Sequence, residues 1–107
     1  GLLNMVEKEA GAADQTRRLE GPEQFTLIDQ KVFDARQSIY DGKYDAAVRR
    51  AQDVLDLEPN NVTALEIMGS AFFLMDQKDK AVAVWKRVLE IDPNNRAVRE
   101  FLQSIRQ

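Results

Sequence analysis

The chain has 107 residues, a net charge of −3 at neutral pH, 44% hydrophobic and 31% charged residues, and neither cysteine nor histidine. That length bounds it to one domain with a modest core, and the two missing residue types exclude disulfides, thiolate chemistry, the commonest general base and the commonest zinc ligand. The slightly acidic balance gives no electrostatic reason to expect nucleic acid as a partner, and no apolar run is long enough to insert across a membrane.

Residues 1–21 open with Leu2, Leu3, Met5 and Val6 and continue with small and polar residues, broken at Gly11 and at Gly21-Pro22. Two readings fit this segment: a partly disordered linker, or a short helix that docks on an apolar surface of this chain or of a partner. No basic stretch precedes an apolar core, so no signal peptide is predicted. A first residue of glycine rather than methionine suggests a processed or excised piece of a longer protein, and the compartment stays unknown.

From about Pro22, which suits a first helical turn, Phe25, Ile28, Val32, Ala35 and Ile39 recur at steps of three and four and predict an amphipathic helix. Asp41-Gly42-Lys43 predicts the turn that ends it. Tyr44, Ala47, Ala51, Val54 and Leu55 mark a second helix, and Leu65, Met68, Phe72 and Met75 a third. After the polar stretch 76–79, Ala81, Val84, Trp85, Val88 and Leu89 mark a fourth; Val98, Phe101, Leu102 and Ile105 mark a fifth. Trp85, Phe72 and Phe101 lie on inward stripes and read as core.

Two joints repeat. DLEPNN at 56–61 and EIDPNN at 90–95 place Pro59 and Pro93 34 positions apart. At the same offset Ala47 matches Ala81, Val48 matches Val82, Val54 matches Val88, Leu55 matches Leu89 and Leu57 matches Ile91. Proline stops the preceding helix, and an asparagine (Asn94 or Asn95 in the second joint) caps the next. The oxygen-rich joint also raises a metal site, but its oxygens have no dedicated loop on which to converge, so no metal is predicted.

This 34-residue helix–turn–helix period resembles the tetratricopeptide repeat. The second unit carries Leu65, Met68-Gly69, Phe72, Ala81, Trp85, Val88 and Pro93 at the signature positions; the first carries Gly42, Tyr44, Ala47, Ala51, Val54 and Pro59. The resemblance covers roughly residues 30 to 107. It implies an all-α, right-handed helical-repeat solenoid of antiparallel helix pairs, spanning 22–107, with one repeat at about 22–61, a second at about 62–95 and a C-terminal helix at 96–107. Counting back strictly from Pro59 turns Lys31, Asp34 and Ser38 inward, which would bury polar groups without obvious partners. A one-residue deletion before Gly42 would turn Val32, Ala35 and Ile39 inward instead. It would also put Arg36 where the family usually has a small residue, with either the helix pair splayed there or the arginine stem snorkelling to water.

Catalysis has little support. Ser38, Ser70 and Ser104 have no histidine to activate them, and Gly11, Gly21, Gly42 and Gly69 are isolated rather than part of a phosphate loop. Of the 18 carboxylates, most sit on the faces opposite the apolar stripes, interleaved with lysine and arginine. The chain is therefore expected to be no enzyme and to need no cofactor. Arg17-Arg18 and Arg49-Arg50 are too few and too scattered for a nucleic-acid stripe.

The resemblance implies a protein or peptide partner, held on the concave face made mainly by the first helix of each pair. With the one-residue shift, the implied groove residues are Phe33, Gln37 and Tyr40 from the first helix, and Glu66, Ser70, Phe73 and Leu74 from the third. Phe33, Tyr40 and Phe73 would be the anchors, with Gln37, Glu66 and Ser70 adding polar contacts. The bland reading is that these aromatics pack on a neighbouring repeat or on the N-terminal segment. A basic clamp for a C-terminal carboxylate is absent from the matching places Phe33, Gln37, Ile67, Ala97 and Phe101. The alternative to peptide binding is a self-associating scaffold, a homo-oligomer formed through the open end of the solenoid or through the N-terminal segment.

Overall fold

Among the described residues the apolar periodicities resolve into five helices and no strand: α1 (Glu20–Tyr40), α2 (Tyr44–Leu57), α3 (Val62–Leu74), α4 (Lys78–Ile91) and α5 (Arg96–Arg106). The computed structural model describes residues 20–106, with side-chain surroundings from Leu27 to Ile105. The expectation for residues 1–21 therefore falls almost entirely outside the described residues. From Lys31 onward the chain forms one compact unit, in which α2 packs on α3, α3 on α4 and α4 on α5.

Each joint between pairs is built as the proline and asparagine pattern requires. α2 ends with the Glu58 N–H donating to the Val54 carbonyl at 2.8 Å, and α4 ends with the Asp92 N–H donating to Val88 at 2.7 Å. Asn61 Oδ1 then accepts from the Ala64 N–H at 2.9 Å, and Asn95 Oδ1 from the Val98 N–H at 3.0 Å. Each cap satisfies one of the free donors of the helix it begins. Asn95, and not Asn94, is the cap of α5. Glu58 is exposed and accepts from Asn61 Nδ2 at 2.9 Å, so it serves the joint itself.

The turns inside the pairs overturn the expected deletion before Gly42. Both connections are three residues long, Asp41–Lys43 and Met75–Gln77. In the first, the Gly42 N–H donates to the Ile39 carbonyl (3.0 Å) and the Lys43 N–H to Ser38 (2.9 Å); in the second, Asp76 donates to Phe73 (3.0 Å) and Gln77 to Phe72 (2.9 Å). This is the same Schellman turn, displaced by 34 positions. Its left-handed residue is Gly42 at φ 75° in one copy and Asp76 at φ 62° in the other. Asp76 thus holds a conformation that a β-carbon disfavours and that glycine adopts freely.

With the strict 34-residue period restored, Ala35 and not Arg36 matches Gly69, and Ala35 is fully buried. Ser38 does turn inward, at 6% exposure. Its hydroxyl donates to the Asp34 carbonyl at 3.1 Å, which removes the cost that made this register look unfavourable. Lys31 and Asp34 are only half-buried, and Arg36 is exposed.

The C-terminal core gathers Leu65, Ala81, Trp85, Val88 and Val98. Trp85, 2% exposed, lies directly against the α3 backbone: a β-carbon added to Gly69 would stand 2.3 Å from the indole Nε1. Its ring centroid is 6.0 Å from that of Phe73 and 4.7 Å from that of Phe101, with which it stacks. The core expectation holds for Trp85. Phe72 is half-buried against this cluster, with the Lys80 ammonium over its ring at 5.7 Å. Phe101 departs from the expectation, because it keeps 43% exposure although its ring meets those of Trp85 and Phe73. In the first pair the places of Gly69 and Trp85 are taken by Ala35 and Ala51, both fully buried, so two small residues replace a very small and a very large one.

Gly69→Ala is expected to destabilise the fold by about 1–3 kcal/mol, since the new methyl must displace a ring that is already packed. Urea denaturation followed by circular dichroism measures it, and an unchanged midpoint would mean that the indole can move aside freely.

Candidate protein-binding groove

The first helices of successive units, α1, α3 and α5, present equivalent positions at 34-residue intervals. Between α1 and α3 they enclose an open pocket of about 240 Å³ lined by Arg36, Ile39, Tyr40, Glu66, Ile67 and Ser70. Its volume falls below the range of about 300–1,000 Å³ usual for small-molecule sites. It suits one or two side chains better than a cofactor. Among the described residues no group of histidine, cysteine, aspartate or glutamate is placed to hold a metal ion.

Tyr40, Glu66 and Ser70, all expected on the groove, meet in this pocket. Phe33 and Gln37 do not line it; both are exposed on α1, Phe33 at 55%. Phe73 is half-buried and spends its ring on Trp85 and on Phe101, the latter edge-on at 5.8 Å. Leu74 is 48% exposed at the end of α3. Arg36, Ile39 and Ile67 belong to the pocket and were not among the expected groove residues. The unshifted period finds Arg36 and Ile39, because it aligns them with Ser70 and Phe73; Ile67 aligns with Phe33 and joins the pocket only in three dimensions.

Arg36 and Glu66 give the pocket one charge of each sign, yet among the described residues no ion pair joins them. Glu66 is instead held by the next joint: Asn95 Nδ2 donates to its Oε2 at 2.6 Å. Asn95 therefore uses its oxygen to start α5 and its nitrogen to fix a groove carboxylate. The first joint cannot do the same, since the residue one repeat before Glu66 is Val32.

Antiparallel helix pairs with a 34-residue period and an exposed face on the first helix of each pair define a helical-repeat interaction protein. The chain belongs to the tetratricopeptide repeat family, whose model matches residues 38–105. Proteins of this family bind protein partners through non-catalytic repeats. The chain is 33% identical over 85 residues to an FK506-binding protein-like protein of Rattus norvegicus, covering 79% of this chain and 24% of that one. It is 38% identical over 64 residues to the FK506-binding protein-like protein of Homo sapiens, covering 60% of this chain and 18% of the relative. A DnaJ homolog subfamily C member 7 homolog of Schizosaccharomyces pombe shares 29% over 73 residues, 68% of this chain and 15% of the relative. The chain thus spans a quarter or less of the length of these relatives. No helix among the described residues is long and apolar enough to cross a membrane.

Asn61→Ala is expected to cost about 1 kcal/mol through loss of a helix cap. Asn95→Ala is expected to cost more, about 1–3 kcal/mol, because it also leaves half-buried Glu66 without its amide donor. Equal shifts of the urea midpoint in the two variants would show that the Glu66 contact adds nothing.

Proposed function

We propose that this chain is a binding module that receives a segment of a partner protein along the face of α1 and α3. The observation that carries this reading is the pocket of Arg36, Ile39, Tyr40, Glu66, Ile67 and Ser70. It combines an apolar floor with polar groups of both signs, on helices set by the repeat rather than on loops. Tyr40, at 73% exposure, stands on its rim as an aromatic that the fold does not need for its own core, and such residues are common binding anchors. The binding unit is the helical-repeat part, residues 22–107, and residues 1–21 are accessory to it. Gln37 and Phe33 flank the pocket on α1, and Phe73 supports it from within rather than touching the ligand.

Peptides selected from a random display library against this chain provide the probe. Tyr40→Ala is expected to weaken a selected peptide by about tenfold, roughly 1.4 kcal/mol, in fluorescence anisotropy, with the helical circular dichroism signal unchanged. If Tyr40→Ala and Ser70→Arg both leave every selected peptide bound as before, the groove assignment is wrong.

A second reading, self-association, is favoured by Phe33. It stands one repeat before Ile67, which is 93% covered, whereas Phe33 is 55% exposed. A second copy could supply the cover that α1 gives Ile67. Sedimentation equilibrium of the chain beside Phe33→Asp tests this, with a dimer that the substitution dissociates as the expected result. A monomer in both would remove it.

A further inference from the structure

We propose that the partner segment is an extended peptide carrying an acidic residue and an apolar residue three positions apart, the acid on Arg36 and the apolar side chain on Leu74 and Phe101. This deepens the groove reading and rests on it.

The second contact follows from the period. Advancing the pocket residues by 34 gives Ser70, Phe73, Leu74, Glu100, Phe101 and Ser104. Ser70 is common to both sets, so the two places adjoin. Where the first has open space, the second has the edge-on contact of Phe73 and Phe101 at 5.8 Å. On it, Leu74 and Phe101 keep 48% and 43% of their surface exposed. The first place is a pocket with charged groups over an apolar floor and the second an apolar patch, and they lie on consecutive helices of one face.

Charge decides which anchor goes where. Arg36 is the cation of its row, and its successors Ser70 and Ser104 are neutral. Among the described residues its guanidinium has no ion pair; the neighbouring Glu66 keeps its charge but accepts from Asn95. An incoming carboxylate would take two guanidinium donors at once. The first place thus holds one charge of each sign, whereas the second holds the exposed Glu100 with a serine where Arg36 would stand, so an acid is better placed at the first and the apolar patch is left to an apolar side chain.

Spacing follows from helix geometry. Packed helix axes lie about 8–10 Å apart, and an extended chain advances about 3.3 Å per residue. About three residues therefore carry a peptide from one place to the next. An odd step also sends the two anchors to opposite sides of a flat strand, so the peptide must twist, as it does in a polyproline-like conformation with three residues per turn.

The same random library tests this, with the consensus as the readout. Selected peptides are expected to carry aspartate or glutamate three positions from leucine, isoleucine, valine, phenylalanine or methionine. Moving the apolar residue by one position should weaken binding at least tenfold, and Arg36→Glu should convert the acidic preference into a basic one. Leu74→Glu, at an exposed position, should remove the apolar preference while leaving the fold intact. A consensus without that pair, or one that neither Arg36→Glu nor Leu74→Glu alters, overturns the proposal. If Tyr40→Ala still weakens those same peptides, only this inference fails and the groove stands. If Tyr40→Ala and Ser70→Arg are also without effect, the groove reading falls with it.

Discussion

The close approach of Trp85 to the bare backbone at Gly69 is the constraint on which the C-terminal half of the structure depends. With no β-carbon in the way, the indole of α4 lies directly against α3 and is buried almost completely. From there it offers its other side to Phe101, which docks α5 by stacking at 4.7 Å, and to Phe73. Three helices thus share one ring. Aromatic pairs add about 0.5–1.5 kcal/mol each beyond the area they bury, which reinforces the packing of α5 on α4. The first pair reaches closure differently, through Ala35 and Ala51. A wide aromatic would not fit there, because Ala35 already carries the methyl that Gly69 lacks.

Fold and proposed binding face are joined at the loops. A tetratricopeptide joint has to stop one helix and start another, and Pro59 with Asn61, then Pro93 with Asn95, do this in the same way twice. The second joint adds a contact that the first lacks, the amide of Asn95 on Glu66. A carboxylate on the groove is thereby oriented by a residue whose other atom holds a helix terminus. The start of α5 and the geometry of the groove are consequently not independent.

Much of this was legible in the residues themselves. The five helices, the proline stops, the asparagine caps and the burial of Trp85 all follow from local rules, and the structure contains them. The error at the first turn came from a rule applied too strictly. Ser38 facing inward looks costly until its hydroxyl bonds to the carbonyl four residues back, and Lys31 and Asp34 are at a half-covered edge rather than in a sealed core. Shifting the count by one to avoid them moved Arg36 out of the groove row and Ile39 onto the core stripe. The pocket itself was harder to read, because α1 and α3 meet across a 34-residue separation: only the correct period puts Arg36 and Ile39 in the row of Ser70 and Phe73, and Ile67 joins them only in three dimensions. Likewise Phe73 looks like a free aromatic on α3 alone; its partners come from α4 and α5.

The sequence contains one tryptophan, and it occupies the junction of α3, α4 and α5. Intrinsic fluorescence of this protein is therefore a local reporter of the second unit and its terminal helix. Backbone ellipticity averages over every helix. Stacked repeats open from their ends with nearest-neighbour cooperativity, so a denaturation followed by the two signals need not give one curve. Any separation between them would resolve fraying of the C-terminal end from melting of the alanine-lined first pair, without introducing a label.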